Sequence, residues 1–214
     1  MSSLWVFDLD GTLIDVEPRY LRIHADLLAA RGARPDPEYW SKKRDKTPEA
    51  EIARACGLDA HDAEAYASER LPLLEDSRYL AIDRVLPGAF EVLKRIGAAR
   101  AVLATKRKDR AALDRQLADL RLVDCFSRVL TPVPGAGKDT LHPAIRASVP
   151  AGTRIVSVSD SPQDIVDGKA SGFVTVGVLS GLRGPRFIEP TAPDAIVGSI
   201  SELSLEEIEH VSPV

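Results

Sequence analysis

The chain has 214 residues, of which 44% are hydrophobic and 28% are charged, a balance typical of globular proteins. Its formal net charge of -4 provides no basic surface for nucleic acid or acidic lipid, and no apolar run is long enough to span a bilayer. Two distant cysteines, Cys56 and Cys125, argue against a disulfide framework, and no leader-like segment precedes the first strand. We therefore expect a cytoplasmic protein with neither a nucleic-acid nor a membrane partner.

The chain opens with a short apolar strand, residues 5–7, that ends in two carboxylates, Asp8 and Asp10. Side chains at positions i and i+2 share one face of a strand, so both carboxylates can reach the same small volume. Two neighbouring carboxylates repel each other unless a cation, a proton or substrate charge compensates them, and such hard oxygen ligands suit magnesium. The following Gly11 and Thr12 are also common in ordinary turns, so the segment by itself leaves both interpretations open.

The next part of the chain, residues 16–83, shows helical patterns and no convincing strand. Apolar residues recur at helical spacing over residues 20–30, 52–56 and 63–74. A polar stretch, residues 41–48, separates the first two of these patterns. We expect a small α-helical cap inserted into a larger domain.

From residue 84 onward, apolar strands alternate with amphipathic helices. The predicted strands cover residues 101–104, 128–130, 154–158, 173–178 and 195–197. Such continuous β-branched runs indicate a parallel sheet covered by helices on both faces. The predicted fold class is α/β, with a Rossmann-like core formed by residues 1–15 and 84–214. The Gly- and Pro-rich residues 180–193 are expected to form a loop.

Polar residues follow several of these strands at the point where each strand ends. Thr105 and Lys106 follow one strand, Asp160 and Asp164 follow another, and Lys138 lies just before a predicted helix. In open parallel sheets, ligands bind at the carboxyl ends of the strands, so these residues are expected to meet Asp8 and Asp10 there.

These segments, in this order, resemble the haloacid dehalogenase superfamily, and within it the phosphoglycolate phosphatase-like hydrolases with a helical cap after the first motif. The matching positions are Asp8 to Thr12, Thr105, Lys138, and the acid pair Asp160 and Asp164. Two positions depart from the family pattern. Ser159 stands where a glycine is usual, and Lys106 stands where a smaller or amide side chain is common.

The resemblance implies a role for each acidic residue. Asp8 would be the nucleophile that forms an aspartyl-phosphate, and Asp10 would protonate the leaving oxygen and then activate water. Mg²⁺ would be held by Asp8, Asp160 and the backbone carbonyl of Asp10, with Asp164 supporting it. Dehalogenases of the family lack the second acid, so Asp10 favours phosphoryl transfer.

The resemblance also implies a phosphate-binding set. Thr105, Lys138 and backbone amides near Leu9 and Lys106 would neutralise the phosphoryl oxygens. The resemblance assigns Lys138 as the phosphate-binding lysine, Lys106 is the alternative, and the sequence leaves the choice between them open.

Basic residues in the predicted cap are candidates for reading the substrate. They are Arg19, Lys42, Lys43, Arg44 and Lys46. A cationic cluster in an acidic protein favours a substrate with a second negative charge, whereas the alternative interpretation is a solvated linker between helices.

The sequence therefore predicts a magnesium-dependent phosphatase that acts on a small soluble phosphomonoester of the phosphoglycolate type, as a monomer or homodimer. Two alternatives remain open. One is a phosphosugar mutase of the same superfamily, and the other is a low-turnover phosphate- or partner-binding protein on the same scaffold.

Overall fold

The computed structural model describes residues 3–211, which form two compact units. The core unit contains the residues up to Asp15 and those from Arg84 onward, and the helical unit contains Val16–Asp83. Residues 1–2 and 212–214, which the sequence assigns to the core, lie outside the described residues.

The core unit is built on a parallel sheet. Its strands are β1 (Leu4–Phe7), β2 (Ile14–Asp15), β3 (Arg84–Val85), β4 (Ala101–Ala104), β5 (Arg128–Leu130), β6 (Ile155–Ser159), β7 (Val174–Val178) and β8 (Ala195–Val197). Six of these described strands pair in the order β5-β4-β1-β6-β7-β8, and every pair is parallel. Because β1 lies between β4 and β6, its carboxyl end is the switch point at which such sheets bind ligands.

The central strands are apolar because both faces of the sheet are covered. Trp5, Phe7, Leu103, Val156 and Val176 have no exposed surface. The predicted strands at 101–104, 128–130 and 195–197 are confirmed at their stated bounds.

Strands β2 and β3 form a two-stranded antiparallel ribbon that the sequence analysis did not predict. Ile14 pairs with Val85, and Asp15 pairs with Arg84. The ribbon therefore joins the point where the chain leaves the core unit to the point where it returns. Pairs this short leave no periodic signal in a sequence.

The helical unit contains the helices α1 (Glu17–Ala29), α2 (Tyr39–Arg44), α3 (Glu49–Ala55), α4 (Ala60–Leu73) and α5 (Ser77–Leu80). Its apolar core includes Ile23, Leu28, Ala53 and Tyr66. No described helix in either unit is long and apolar enough to cross a membrane.

Two expectations for the helical unit were wrong. Helix α2 overlaps the polar stretch at residues 41–48, which was expected to separate two helices, because the buried Tyr39 anchors a segment that is otherwise mostly polar. Leu71, expected on the apolar stripe of the third helix, is 60% exposed.

The helices of the core unit are α6 (Ala89–Ile96), α7 (Arg110–Asp119), α8 (Leu141–Ala147), α9 (Pro162–Ala170), α10 (Pro185–Ile188) and α11 (Leu205–His210). Helix α10 corrects the expected loop at residues 180–193, since its buried Ile188 packs a short turn of helix into a Gly- and Pro-rich segment.

Candidate active site

Asp8 directly follows β1 at the switch point of the sheet. Its backbone N–H donates to the carbonyl of Val158 at 3.0 Å, which holds it beside β6. Its Oδ1 accepts a hydrogen bond from Lys138 Nζ at 2.6 Å. Burial raises the pKa of Asp8 to about 6, although the Lys138 ammonium opposes the rise. At neutral pH the group is therefore an ionised but poorly solvated carboxylate.

Lys138 lies in a short 3-10 turn after β5 and is buried between two carboxylates. In addition to Asp8, its Nζ donates to Asp164 Oδ2 at 2.5 Å. Burial opposes the charged ammonium, but Asp8 and Asp164 outweigh it and raise the pKa of Lys138 above its ordinary value. Between the two lysines that the sequence left open, Lys138 contacts Asp8, whereas the Lys106 side chain is exposed.

Asp160 follows β6 and is held by backbone and hydroxyl groups. Its backbone N–H donates to Thr12 Oγ1 at 3.1 Å, and its Oδ2 accepts from the N–H of Leu182 at 2.5 Å. Burial, followed by repulsion from Asp8, raises the pKa of Asp160 to about 8. Asp8 and Asp160 are therefore two desolvated carboxylates close enough to repel each other.

Two glycines make room for the Asp160 carboxylate. A Cβ on Gly11, which has a φ of +81°, would lie 2.5 Å from Asp160 Oδ2, and one on Gly181 would lie 2.0 Å from it. Gly11 is therefore required both for its backbone conformation and for the space it leaves.

Asp164 lies in the first turn of α9, and Lys138 partly neutralises it. Burial raises its pKa, but Lys138 and a hydrogen bond from Ser159 Oγ at 2.8 Å hold the pKa below its ordinary value. Ser159, the departure from the family pattern, thus supports Asp164. The other oxygen, Asp164 Oδ1, is buried and accepts no hydrogen bond within the described residues.

The Asp10 carboxylate is bound by Arg107, a residue that the sequence analysis missed. Arg107 Nε donates to Asp10 Oδ2 and Nη2 donates to Oδ1, both at 2.7 Å, and Nη2 also donates to Gln116 Oε1 at 3.1 Å. Arg107 lies two residues beyond Thr105, and alternate residues leaving a strand share a face. That spacing was the signal that could have identified it.

The remaining predicted phosphate-binding positions lie at the same edge of the sheet. Thr105 is buried at the end of β4, and its N–H donates to Leu130 at 3.1 Å. Leu9 is buried, and its carbonyl accepts from the N–H groups of Leu13 at 3.0 Å and Ile14 at 3.1 Å. A tight turn therefore follows Asp8.

The carboxylates at this edge of the sheet suit a metal ion that binds through few protein ligands. Within residues 3–211, no three His, Cys, Asp or Glu side chains are grouped so as to hold a metal on their own. Mg²⁺, however, usually binds through one or two carboxylates together with waters and substrate phosphate. The mutually repelling Asp8 and Asp160, with the unsatisfied oxygen of Asp164 nearby, fit that requirement. The Asp10 side chain is turned to Arg107, so only its backbone carbonyl can take part.

Two of the predicted specificity residues are ion-paired inside the helical unit. Arg19 is buried, with Nη1 donating to the carbonyl of Leu74 at 2.8 Å and Nε 3.4 Å from Asp83 Oδ1. Lys43 Nζ lies 2.6 Å from Glu49 Oε1. Both charges are thus largely neutralised by neighbours within the unit.

The other basic residues of this group lie in and just after α2. Lys42 pairs with Asp36 at 2.6 Å, Arg44 is half-buried and Lys46 is exposed. The cluster is therefore partly ion-paired rather than a uniform patch of positive charge.

A half-buried carboxylate at the switch point of a parallel α/β sheet, with a lysine and further acids around it, is the candidate site of this fold. Residues 4–172 match the family model of haloacid dehalogenase-like hydrolases. The chain belongs to that family.

Two phosphoglycolate phosphatases are similar to the chain over most of its length. The chain is 28% identical over 226 residues to a phosphoglycolate phosphatase of Neisseria meningitidis, an alignment that covers 92% of this chain and 90% of the relative. A phosphoglycolate phosphatase of Neisseria gonorrhoeae is 27% identical, with 92% and 89% covered.

The fold is also shared with solved structures at low identity. A putative phosphatase from Clostridium difficile superposes with a TM-score of 0.76 at 19% identity, and 98% of each chain is covered. A putative beta-phosphoglucomutase from Thermotoga maritima gives a TM-score of 0.68 at 22% identity, with 99% of this chain and 100% of that chain covered. These likenesses establish the fold.

Proposed function

We propose that this protein is a magnesium-dependent phosphatase that hydrolyses a small phosphomonoester through an aspartyl-phosphate on Asp8. The observation that carries the proposal is the contact between the half-buried Asp8 carboxylate and the buried Lys138 at the end of β1, with Asp160 alongside. The relatives named phosphoglycolate phosphatase support the reaction class. A cytoplasmic location and a monomeric or homodimeric state belong to the same proposal.

The first step is attack of an Asp8 oxygen on phosphorus. A bond forms between that oxygen and phosphorus while the bond to the leaving oxygen breaks, and Asp10 donates a proton to the leaving oxygen. An anionic nucleophile and an anionic ester repel each other, so the buried Lys138 ammonium lowers the barrier by offsetting that repulsion.

The second step is hydrolysis of the aspartyl-phosphate. Asp10 accepts a proton from a water molecule, whose oxygen bonds to phosphorus as the bond to Asp8 breaks. Inorganic phosphate leaves, and the Asp8 carboxylate is restored. The same residue serves as acid and then as base, so its carboxyl group must reach the leaving oxygen.

Phosphate binding would use groups at the same sheet edge. The Thr105 hydroxyl, Lys138 and the backbone amides of Leu9 and Lys106 are proposed to hold the phosphoryl oxygens. Mg²⁺ would be held by Asp8, Asp160 and the carbonyl of Asp10, with Asp164 in support. When bound, the ion would supply positive charge to the phosphoryl oxygens.

The test is phosphate release from a panel of small phosphomonoesters with Mg²⁺. We expect Asp8→Asn to lower kcat by roughly 10³-fold or more, since it removes the nucleophile. Asp119→Asn, an exposed acid on α7, is the matched control. Unchanged turnover in Asp8→Asn would refute the assignment of the nucleophile.

Two further measurements separate the alternatives. Hydroxylamine added during turnover should convert a phosphorylated Asp8 to its hydroxamate, which peptide mass spectrometry detects. Phosphate appearing on a hexose phosphate instead of in solution would identify a mutase. No turnover of any ester would favour a binding protein.

A further inference from the structure

A cationic cavity lies in the core unit beside the candidate site. Its volume is about 610 Å³, and its walls are the residues after β4 and residues 131–138 after β5. Its basic lining residues are Lys106, Arg107, Lys108, Arg110 and Lys138, and none of the described lining residues is acidic.

The size and charge of the cavity limit what it can bind. Pockets of about 300–1,000 Å³ hold small molecules well beyond the size of an isolated phosphate. Arg110 is offset by Asp114 at 2.8 Å and Lys138 by Asp8, which leaves a lining that is still cationic. The cavity therefore suits an anionic group, and its lining residues Arg107 and Lys138 connect it to Asp10 and Asp8.

Arg107 lines the cavity and also binds Asp10, the proposed acid and base. It is 6% exposed, and it holds both oxygens of Asp10 at 2.7 Å. A carboxylate with both oxygens in a bidentate pair is not directed at a leaving oxygen, so the guanidinium has to release at least one of them before Asp10 can act.

Another anion can release Asp10 without leaving a buried charge unpaired. The guanidinium fork can bind either a carboxylate or a phosphate group bidentately, because each presents two oxygens to its parallel N–H donors. Removing a partner from a buried guanidinium is unfavourable, whereas exchanging one anion for another is not.

We propose, on the basis of the proposed function, that the substrate carries a second anionic group, a carboxylate or a phosphate, which binds Arg107 in this cavity and displaces the Asp10 carboxylate. Asp10 then reaches the leaving oxygen only when such a substrate is bound. The core unit therefore selects the substrate through Arg107, whereas Arg19 and Lys43 are ion-paired within the helical unit.

The experiment compares three straight-chain esters that differ only in the group at the far end: propanediol bisphosphate, phosphooxypropanoate and hydroxypropyl phosphate. For the wild-type protein, we expect the kcat/KM of propanediol bisphosphate and of phosphooxypropanoate to be roughly tenfold to hundredfold above that of hydroxypropyl phosphate. Bidentate charge-assisted hydrogen bonds are of this strength. A preference for only one of the two anions identifies which group the cavity takes.

Variants at Arg107 then test the residue itself. Arg107→Gln should bring the ratio of kcat/KM values close to one, and Arg107→Lys should restore part of it. Arg115→Gln removes one positive charge from an exposed position on the same helix and should keep the wild-type ratio. If Arg107 only supports the fold, its substitution lowers all three values by one factor and keeps the ratio, which overturns the proposal.

Binding to the Asp8→Asn variant, measured by calorimetry with the same esters, separates this proposal from the proposed function. Turnover without an anion preference overturns the proposal and leaves the phosphatase assignment standing. Anion-selective binding that Arg107→Gln abolishes, without turnover of any ester by the wild type, supports the cavity assignment and refutes the phosphatase. Neither turnover nor selective binding overturns both.

Discussion

The ammonium nitrogen of Lys138 lies 2.6 Å from Oδ1 of Asp8, although 130 residues separate the two in the chain. The same nitrogen lies 2.5 Å from Asp164 Oδ2. One buried cation therefore pairs with a buried carboxylate, Asp164, and a half-buried one, Asp8. The charge of each group is stabilised by the others. The contact links the stability of the core unit to the charge of the proposed nucleophile.

Lys138→Met is expected to damage both stability and activity. It leaves Asp8 and Asp164 buried without their cation, which should lower the free energy of unfolding by about 3–5 kcal/mol. Phosphate release should fall by roughly 100-fold or more. Urea unfolding followed by circular dichroism measures the first effect. Lys106→Met, an exposed lysine of the same sheet edge, should change stability by less than about 0.5 kcal/mol. Equal stability of the two variants would contradict the pairing of Lys138 with Asp8 and Asp164.

Gly11→Ala is expected to disturb Asp160 as well as the backbone. The new Cβ would lie 2.5 Å from Asp160 Oδ2, and the φ of +81° is unfavourable for alanine. The matched control is Gly152→Ala, at the same φ of +81° with nothing within 4 Å of the new Cβ. Both variants should lose about 1–2 kcal/mol from the backbone strain. Only Gly11→Ala should lose further stability and most of its activity. Similar losses in both variants would argue against a tight cradle around Asp160.

Mg²⁺ is expected to stabilise the wild-type protein and to be required for turnover. Chelation should abolish phosphate release, and the Tm should rise with added Mg²⁺ because a ligand that binds the folded state stabilises it. Asp160→Asn should remove most of the Mg²⁺-dependent rise in Tm without lowering the Tm of the metal-free protein, since the change relieves repulsion with Asp8. An undiminished rise in Asp160→Asn would exclude Asp160 as a ligand.

His24 in the helical unit is expected to make stability depend on pH. Its Nε2 accepts from the N–H of Asp36 at 2.9 Å, so its Nδ1 is the protonated nitrogen and donates to Tyr66 at 2.7 Å. The contact with Asp36 requires a neutral ring, because a protonated Nε2 cannot accept, and burial lowers the pKa of His24 from 6.5 to about 4.

The sign of the effect follows from proton binding. Between about pH 6.5 and pH 4 the unfolded chain binds a proton at His24 that the folded chain does not, so stability falls as the pH falls through this range. The free energy of unfolding should decrease by up to about 3 kcal/mol and then level off with respect to this group. His24→Gln should remove this part of the slope in urea titrations at successive pH values. A slope that persists unchanged in His24→Gln would assign the effect to other groups.

The local pattern of the sequence predicted much of the fold. Strands at 101–104, 128–130 and 195–197 lie where their apolar runs indicate, because a buried strand needs a continuous apolar segment and little else. Helix α2 and the ribbon Ile14–Asp15 with Arg84–Val85 were missed. Both are short, and contacts with distant residues rather than their own periodicity stabilise them.

Some residues of the candidate site could be selected from the sequence, and others could not. Asp8, Asp10 and Thr105 could be selected from the sequence because each follows a strand, and the ends of parallel strands meet at one edge. The sequence could not decide whether Lys138 or Lys106 contacts Asp8, because both lysines follow strands that end at that edge.

The sequence by itself determined the fold class, the order of the elements and which acidic residues follow the strands, because these depend on local periodicity and on strand ends. Only the tertiary structure decided which charges pair: Arg107 with Asp10, 97 residues away, and Lys138 with Asp8. Ion pairs depend on distances of a few ångströms and on burial, and both arise only when the sheet brings distant segments together.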